Sequence, residues 1–497
     1  MVLPARHYLQ ECEAMNKRSS KLIVPGVILA ASLMAGYVAL YRPGYLSSSY
    51  YLGGLIFLQI LVAIVWKYEQ RFFPFLVVVF LWAGMSVPFS GIWTAGRWAV
   101  LALGAVVGFA LYMRSPHPRF SSFHMVAVFS VMAAMVSAAV SSYAGLSFMK
   151  ALSLLLLFLY ASTGARLALS GREEKFFSRL LFFVEIVVYL SAVAYLVLHL
   201  PIYGNPNSMG AIMGVVAVPL LFWGVLTAEG KMMVRRMLVA LMLSIGLLFF
   251  SQARSGILAA VVSCCLTCVA LRRYRLLIQG AAAFVGMATL FLVLIPSAQR
   301  TDMPARGEET SLADTLLYKG HENEGVLGSR ITPWDETVTV IQEHPWFGSG
   351  FGTSLTTGQE DIGLGQYSTV TAATHEHGNS YLAAMEGVGL LGVVPFFALV
   401  LMLAAKVGRA FAWLRRTLNV RHYVVPVAMV LAAGLVHAGF EDWLFAVGYY
   451  LCVFFWVLAF AFLDMLPAAA PGVVYRPITD FGFGTLGRDA NAAAPER

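Results

Sequence analysis

Between residues 374 and 382 the chain reads Thr374-His375-Glu376-His377-Gly378-Asn379-Ser380-Tyr381-Leu382. A histidine with an ordinary pKa suits removal of a hydroxyl proton near neutral pH, and contributes roughly 10²–10⁴-fold to a reaction when well placed. Glu376 can orient either His375 or His377, or it can stand as a solvated carboxylate. The two histidines are two apart, a spacing for ligands on a strand rather than a helix. No third ligand is evident, so no metal site is expected. Arg254 and Arg330 are the other informative side chains. A guanidinium fork gives paired bonds to phosphate and keeps its charge. Arg254 opens an apolar run. An arginine in a membrane span costs about 2.5–3.5 kcal/mol by insertion scales, which invites a functional explanation; the plain alternative is snorkelling to the interface. Arg330, taken alone, is an ordinary surface charge.

The elements that must position these groups are membrane helices. Of the 497 residues 59% are hydrophobic and 12% charged, with mean hydropathy +0.75. A soluble chain carries about 25% charged residues. The apolar runs are about 17 to 25 residues long and lack period-two alternation, which selects helices over a barrel. Spans are expected near 22–41, 50–66, 72–88, 96–113, 123–143, 146–165, 176–200, 208–228, 233–250, 254–271, 276–296, 381–405, 423–440 and 444–463. The fold class is therefore an all-α polytopic membrane protein of about 14 transmembrane helices. Its parts are a cytoplasmic segment 1–21, helices 1–11 over 22–296, a large outer loop 297–380, helices 12–14 over 381–463 and a disordered cytoplasmic tail 464–497. With both termini inside, 26 of the 34 Lys and Arg fall on the cytoplasmic side and 8 outside, as the positive-inside rule requires. The net charge of +8 is thus an orientation signal, and no nucleic-acid partner is expected. The N-terminus lacks a signal peptide's short apolar core and cleavage site and is expected to stay attached. Of the five cysteines, Cys264, Cys265 and Cys268 share an apolar run without His or carboxylate neighbours and read as unpaired thiols.

Within the long loop, Thr301 to Gly328 is acidic and reads as mobile. Thr332-Pro333-Trp334-Asp335 then suits a helix start, with Thr332 as N-cap, Pro333 in the first position and Asp335 completing a capping box. Trp334, Val338 and Ile341 share one face of this short amphipathic helix, set either at the membrane interface or on the loop's own core. The helix should stop by His344-Pro345. Trp346-Phe347-Gly348-Ser349-Gly350-Phe351-Gly352 can present N–H groups to an anion or form a plain tight turn. Arg97 and Lys150 begin spans on the outer side and can add to an anion cradle or anchor the interface. Glu386 lies seven residues after Asn379, on the same helical face, toward the bundle interior. Glu185 is mid-span and must face protein or water. His437 and Glu441, four apart, can pair. Asp442 can contact an acceptor or serve structure.

Together these residues resemble the O-antigen ligase and O-antigen polymerase superfamily. The resemblance is carried by Tyr203-Gly204-Asn205-Pro206-Asn207, by Ser251-Gln252-Ala253-Arg254-Ser255-Gly256, and by Arg330 with Trp334 and the His344-to-Gly350 run. His377-Gly378-Asn379-Ser380-Tyr381-Leu382 followed by Glu386-Gly387-Val388-Gly389-Leu390-Leu391-Gly392 completes it. It implies a bacterial inner-membrane glycosyltransferase without cofactor or metal. The enzyme would take a glycan from an undecaprenyl-diphosphate-linked donor at the periplasmic face and pass it to a hydroxyl of a glycan or lipid-linked acceptor. O-antigen or exopolysaccharide assembly is the implied setting, with polymerase favoured over ligase and membrane lipids as surroundings. The family's functional residues map to Arg254, Arg330 and His377. Gly378 intervenes where the family has His next to Asn or Ser, which keeps His375 in play as a catalytic alternative. Arg97, Lys150, Asn379, Trp334 and Glu386 join Arg254 and Arg330 as candidate substrate-binding residues. The rival reading is a lipid-linked oligosaccharide flippase or secondary transporter; such proteins place ionisable groups near the midplane, whereas this cluster is expected at the outer surface.

Overall fold

The computed structural model describes residue 44 and residues 69–85, 90–115, 120–294, 328–353 and 377–467. The expected spans 22–41 and 50–66, the loop stretches 297–327 and 354–376 with His375 and Glu376, and the tail beyond 467 lie outside the described residues. Within them the chain forms helices and no strand. In chain order these are α1 (Glu69–Ala83), α2 (Ser90–Met113), α3 (Ser122–Val140), α4 (Ala144–Ser162), α5 (Gly164–Leu169), α6 (Glu173–Val197), α7 (Pro206–Thr227), α8 (Lys231–Phe250), α9 (Arg254–Ala270), α10 (Tyr274–Leu294), α11 (Gly328–Glu343), α12 (Ser380–Thr417), α13 (Val424–His437) and α14 (Tyr450–Met465).

Long apolar segments must satisfy their own backbone when water is scarce, and these do so as helices. Seven have the length and apolarity to cross a membrane: Gly96–Met113, Ser122–Val140, Ala144–Leu169, Glu173–Val197, Pro206–Thr227, Lys231–Phe250 and Ser380–Thr417. Phe72–Ala83, Arg254–Ala270, Val424–His437 and Tyr450–Met465 are apolar but shorter. The expected count of 14 spans is not reproduced among the described residues. A hydropathy window cannot separate a spanning helix from a core helix of similar composition. α14 shows the difference: it is buried from Tyr450 through Phe462 and packs against α1, α4, α5 and α13. α3 is amphipathic in a different sense. It buries Phe123, Ala127, Val131, Ala134 and Ala138 and turns Met125, Val128, Phe129, Met132 and Val136 outward, as a lipid-facing helix does.

Three features set up the site. α9 and α13 pack against each other, tied by Ser263 Oγ donating to the Met429 carbonyl at 2.8 Å. The first turn of α9 rests on α7, where a Cβ on Gly210 would strike Ala253 and one on Gly214 would strike the Gly256 backbone. α12 is broken at Gly389, whose φ of 68° and ψ of 179° interrupt the helical ladder. The segment after α11 fills that break. The Ser349 and Gly350 N–H groups donate to the Glu386 and Gly387 carbonyls at 2.9 and 3.2 Å, and the Leu390 and Leu391 N–H groups donate to the Pro345 and Trp346 carbonyls at 2.7 and 3.2 Å. Gly348, Gly350 and Gly352 all have positive φ, which this close crossing requires. These amides belong to the helix break, so the anion cradle considered for this turn is not what the Ser349 and Gly350 N–H groups form.

α11 departs from expectation at its start. It begins at Gly328 and carries Pro333 inside, so Thr332 is not its cap. The extra turn holds Arg330, whose contact with Glu441 fixes it in place of the local capping signal. The packed face is also rotated. Thr337 is fully buried and Val338 is exposed, so the face runs Trp334, Thr337, Ile341. It lies against α12. The helix does end before His344-Pro345.

Candidate functional site

The site forms where the starts of α9, α11 and α12 meet the 438–449 segment between α13 and α14. Asn379 caps α12: its Oδ1 accepts from the Tyr381 and Leu382 N–H groups at 2.8 and 3.3 Å. Ser380 ties the cap to the 438–449 segment. Its N–H donates to the Ala438 carbonyl at 2.8 Å, its Oγ donates to the Glu441 carbonyl, and the Leu444 N–H donates to that Oγ at 3.0 Å. Gly378 has φ 61°, and a Cβ there would come within 2.9 Å of Arg330 Nη1. The glycine between His377 and Asn379 is the space in which Arg330 lies. Trp334, one turn on, donates from Nε1 to the Gly378 carbonyl at 3.3 Å. Arg330 and Trp334 thus clasp the histidine loop from α11.

His377 is held on both sides. Nδ1 lies 3.1 Å from Asp442 Oδ2 and Nε2 lies 3.1 Å from Glu386 Oε2. The His377 N–H also faces Asp442 Oδ2 at 3.3 Å. A neutral imidazole has one N–H, so it can donate to only one of the two carboxylates. Both contacts are satisfied by imidazolium. Burial alone pushes this imidazole down, but the hydrogen bonds and charges of Asp442 and Glu386 outweigh it and raise the pKa to about 9. Burial pushes the Asp442 carboxyl up, and its bonds to His377 more than reverse this, leaving it below the usual range. The ordinary near-neutral histidine expected from the sequence is therefore not the one present. Glu386 is buried as expected, while Asp442 is one-third exposed at 33%. Asp442 is the open face of the trio.

The cations sit beside it. Arg330 pairs with Glu441, both side chains largely buried. Arg254, the first residue of α9, is close enough to feel the charge of Arg330. Two like charges this near, one at the positive end of a helix dipole, favour an anion between them. Lys150 on α4 donates to the Gly352 carbonyl and feels the charge of Asp442. Arg97 on α2 donates from Nη1 to the Gly448 carbonyl at 2.7 Å and lies 5.0 Å from the Trp98 ring centroid. The last two grip backbone at the rim of the site.

The structure therefore brings Arg254, Arg330, Trp334, His377, Asn379 and Glu386 to one place, with Lys150 and Arg97 around them. His375 lies outside the described residues. The partners underrated from the sequence are Glu441 and Asp442. The expected pairing of His437 with Glu441 does not form. Glu441 takes Arg330 instead, and His437 Nδ1 accepts from Trp443 Nε1 at 2.8 Å, because the helix ends at His437 and the i, i+4 geometry ends with it. Glu185, the mid-span carboxylate, is bound in a fork by Arg236, with Nε to Oε1 at 2.6 Å. Among the described residues no three His, Cys, Asp or Glu side chains converge as metal ligands would.

The family model described as O-antigen ligase matches residues 237–397. That stretch contains Arg254, Arg330, His377 and Glu386. No curated protein matches the chain significantly.

Proposed function

We propose that this chain, whose residues 237–397 match the O-antigen ligase family and whose apolar helices make it a multi-pass membrane protein, transfers a glycan from an undecaprenyl-diphosphate-linked donor to an acceptor hydroxyl at the periplasmic face. The observation that carries this reading is the meeting of Arg254 and Arg330 with the His377–Asp442–Glu386 trio at the helix ends. The acceptor oxygen attacks the anomeric carbon while the bond from that carbon to the phosphate oxygen breaks. The electron pair leaves on the diphosphate, where Arg254 and Arg330 meet the growing charge. Each charge-assisted bond supplies roughly 1.5–3 kcal/mol. The acceptor proton goes to Asp442, the exposed carboxylate. His377 holds it in place and keeps it ionised; Glu386 in turn holds His377. A carboxylate of depressed pKa is a weak base, so proton transfer comes late, when the attacking hydroxyl has become acidic. A single displacement of this kind inverts the anomeric centre.

A transfer assay with a lipid-linked oligosaccharide, using the full chain in nanodiscs, tests the scheme. Arg254→Ala, Arg330→Ala and Asp442→Asn should each lose activity, and full activity in all three would end it. Polymerase action on a repeat unit is favoured over ligation. Mass analysis of surface polysaccharide from a deletion strain separates the two. Single unpolymerised repeats point to a polymerase; long lipid-linked chains beside a bare acceptor point to a ligase.

A further inference from the structure

His437 is buried to 1% exposure at the end of α13, and the proposed reaction does not use it. Its Nδ1 accepts the Trp443 indole N–H at 2.8 Å, so Nδ1 carries a lone pair and no proton. The ring is then neutral, with its one proton on Nε2. That Nε2–H is buried and has no hydrogen-bond partner among the described residues. A buried donor left unpaired is unfavourable and calls for an explanation.

The packing of α9 on α13 says where this donor sits. Ser263 meets Met429. Arg254 is nine positions before Ser263, and His437 is eight positions after Met429. At 1.5 Å per residue both lie roughly 12–14 Å from that contact. The two helices run in opposite directions, since the start of α9 and the end of α13 both reach the site end of the bundle. Arg254 and His437 therefore come to the same level on neighbouring helices. The charge of Arg330 is felt at both. A fixed neutral donor beside two guanidinium groups is what an anion site adds when a third cation would be repelled.

We infer that His437 is a third ligand of the anion site, its Nε2–H donating to a phosphate oxygen of the diphosphate held by Arg254 and Arg330. This rests on the donor-binding reading above. It adds a residue that does not change charge, and it gives Trp443 a positioning role: by occupying Nδ1, the indole fixes the tautomer that points a proton at the phosphate.

The test is binding of two probes, inorganic pyrophosphate and undecaprenyl diphosphate, to the full chain in nanodiscs. Wild type is compared with His437→Asn, His437→Gln and Arg254→Ala. Asparagine keeps an acceptor for Trp443 and loses the Nε2 donor; glutamine returns an N–H near that position. His437→Asn should weaken both probes by about tenfold to a hundredfold, the range for one lost bond to a charged group. His437→Gln should recover part of the loss. Wild-type affinity in His437→Asn with a loss in Arg254→Ala overturns the histidine's role and leaves the parent reading standing. A loss confined to the prenyl probe also overturns it, because the histidine would then be reading the lipid. Unchanged binding in both Arg254→Ala and His437→Asn removes the parent reading and this one together. Should the Asn variant not fold, ¹⁵N-histidine-labelled wild type decides: the His437 Nε2–H resonance should move downfield on adding pyrophosphate, and an unmoved resonance overturns the assignment.

Discussion

Replacing Glu386 by glutamine removes one of the two carboxylates around His377 while keeping the shape of the site. The His377 pKa stands at about 9 against an ordinary 6.5. At about 1.4 kcal/mol per pH unit, folding favours its imidazolium by roughly 3 kcal/mol. Because the folded-state value lies above the unfolded one, this contribution is present in full below pH 6.5 and is lost as the pH rises through 9. Glu386 and Asp442 stand at the same 3.1 Å from the ring, so each supplies a comparable share, and burial opposes both. An opposite charge at this range is worth roughly 1–3 pH units. Glu386→Gln should therefore bring the His377 pKa down by that much, to roughly 6–8. Histidine resonances of the full chain in nanodiscs, followed from pH 5 to 10 and assigned with His377→Gln, read this directly. Thermal melts give the linked result: wild type should lose midpoint temperature between about pH 7 and 9.5, and Glu386→Gln should lose less across that window. A wild-type His377 pKa below 7, or one that the substitution leaves in place, refutes the two-carboxylate clamp.

Gly378→Ala puts a methyl group 2.9 Å from Arg330 Nη1 at a positive φ. The backbone strain is about 1–2 kcal/mol, and with Arg330 displaced glycan transfer should fall at least tenfold while the protein still runs as a monodisperse species on size exclusion. Gly389→Ala meets the Trp346 carbonyl at the helix break. It should lower stability by roughly 1–3 kcal/mol, read as a lower melting midpoint. Glu441→Gln removes the charge partner of Arg330. With one anion fewer in the pocket, pyrophosphate should bind tighter by several-fold, and weaker binding would mean that Glu441 positions Arg330 more than it competes for it. Arg166 on α5 is 5% exposed and holds Asp464 in a fork at 2.6 and 2.7 Å at the opposite end of the bundle. Because Asp464 is 44% exposed, Arg166→Ala should destabilise by about 1–3 kcal/mol, below the 3–5 kcal/mol of a fully buried pair, and leave pyrophosphate affinity unchanged.

Much of this architecture is written in local sequence. The apolar runs name the helices, and the seven-residue step from Asn379 places Glu386 inside. The harder features depend on residues far apart in the chain. Arg330 and Glu441 are 111 positions apart and His377 and Asp442 are 65 apart. Neither partner carries a local mark that separates it from a solvated carboxylate. Thr332-Pro333 is a sound capping signal that a tertiary contact of Arg330 overrides. The three alternating glycines suggest a turn that can offer its N–H groups, but only the broken helix across from them says what their backbone binds. The motif shared with the ligase family brought out Arg254, Arg330 and His377. It was silent on the protonation state of that histidine, which is set by carboxylates on two other segments.

The break at Gly389 has a mechanical meaning. α12 is not a single mast but two arms meeting at a joint. The short arm, 380–388, is bolted down by the turn that crosses the joint and by the 438–449 segment. The long arm, 390–417, extends about 42 Å at 1.5 Å per residue, but its last turns carry Lys406, Arg409, Arg415 and Arg416, so its apolar part, 390–405, is about 24 Å long, within a hydrocarbon slab of roughly 30 Å. The angle such an arm takes changes with bilayer thickness. The joint lets that change be taken up beyond Gly389, so Glu386 and the histidine loop hold their register whatever membrane surrounds the long arm.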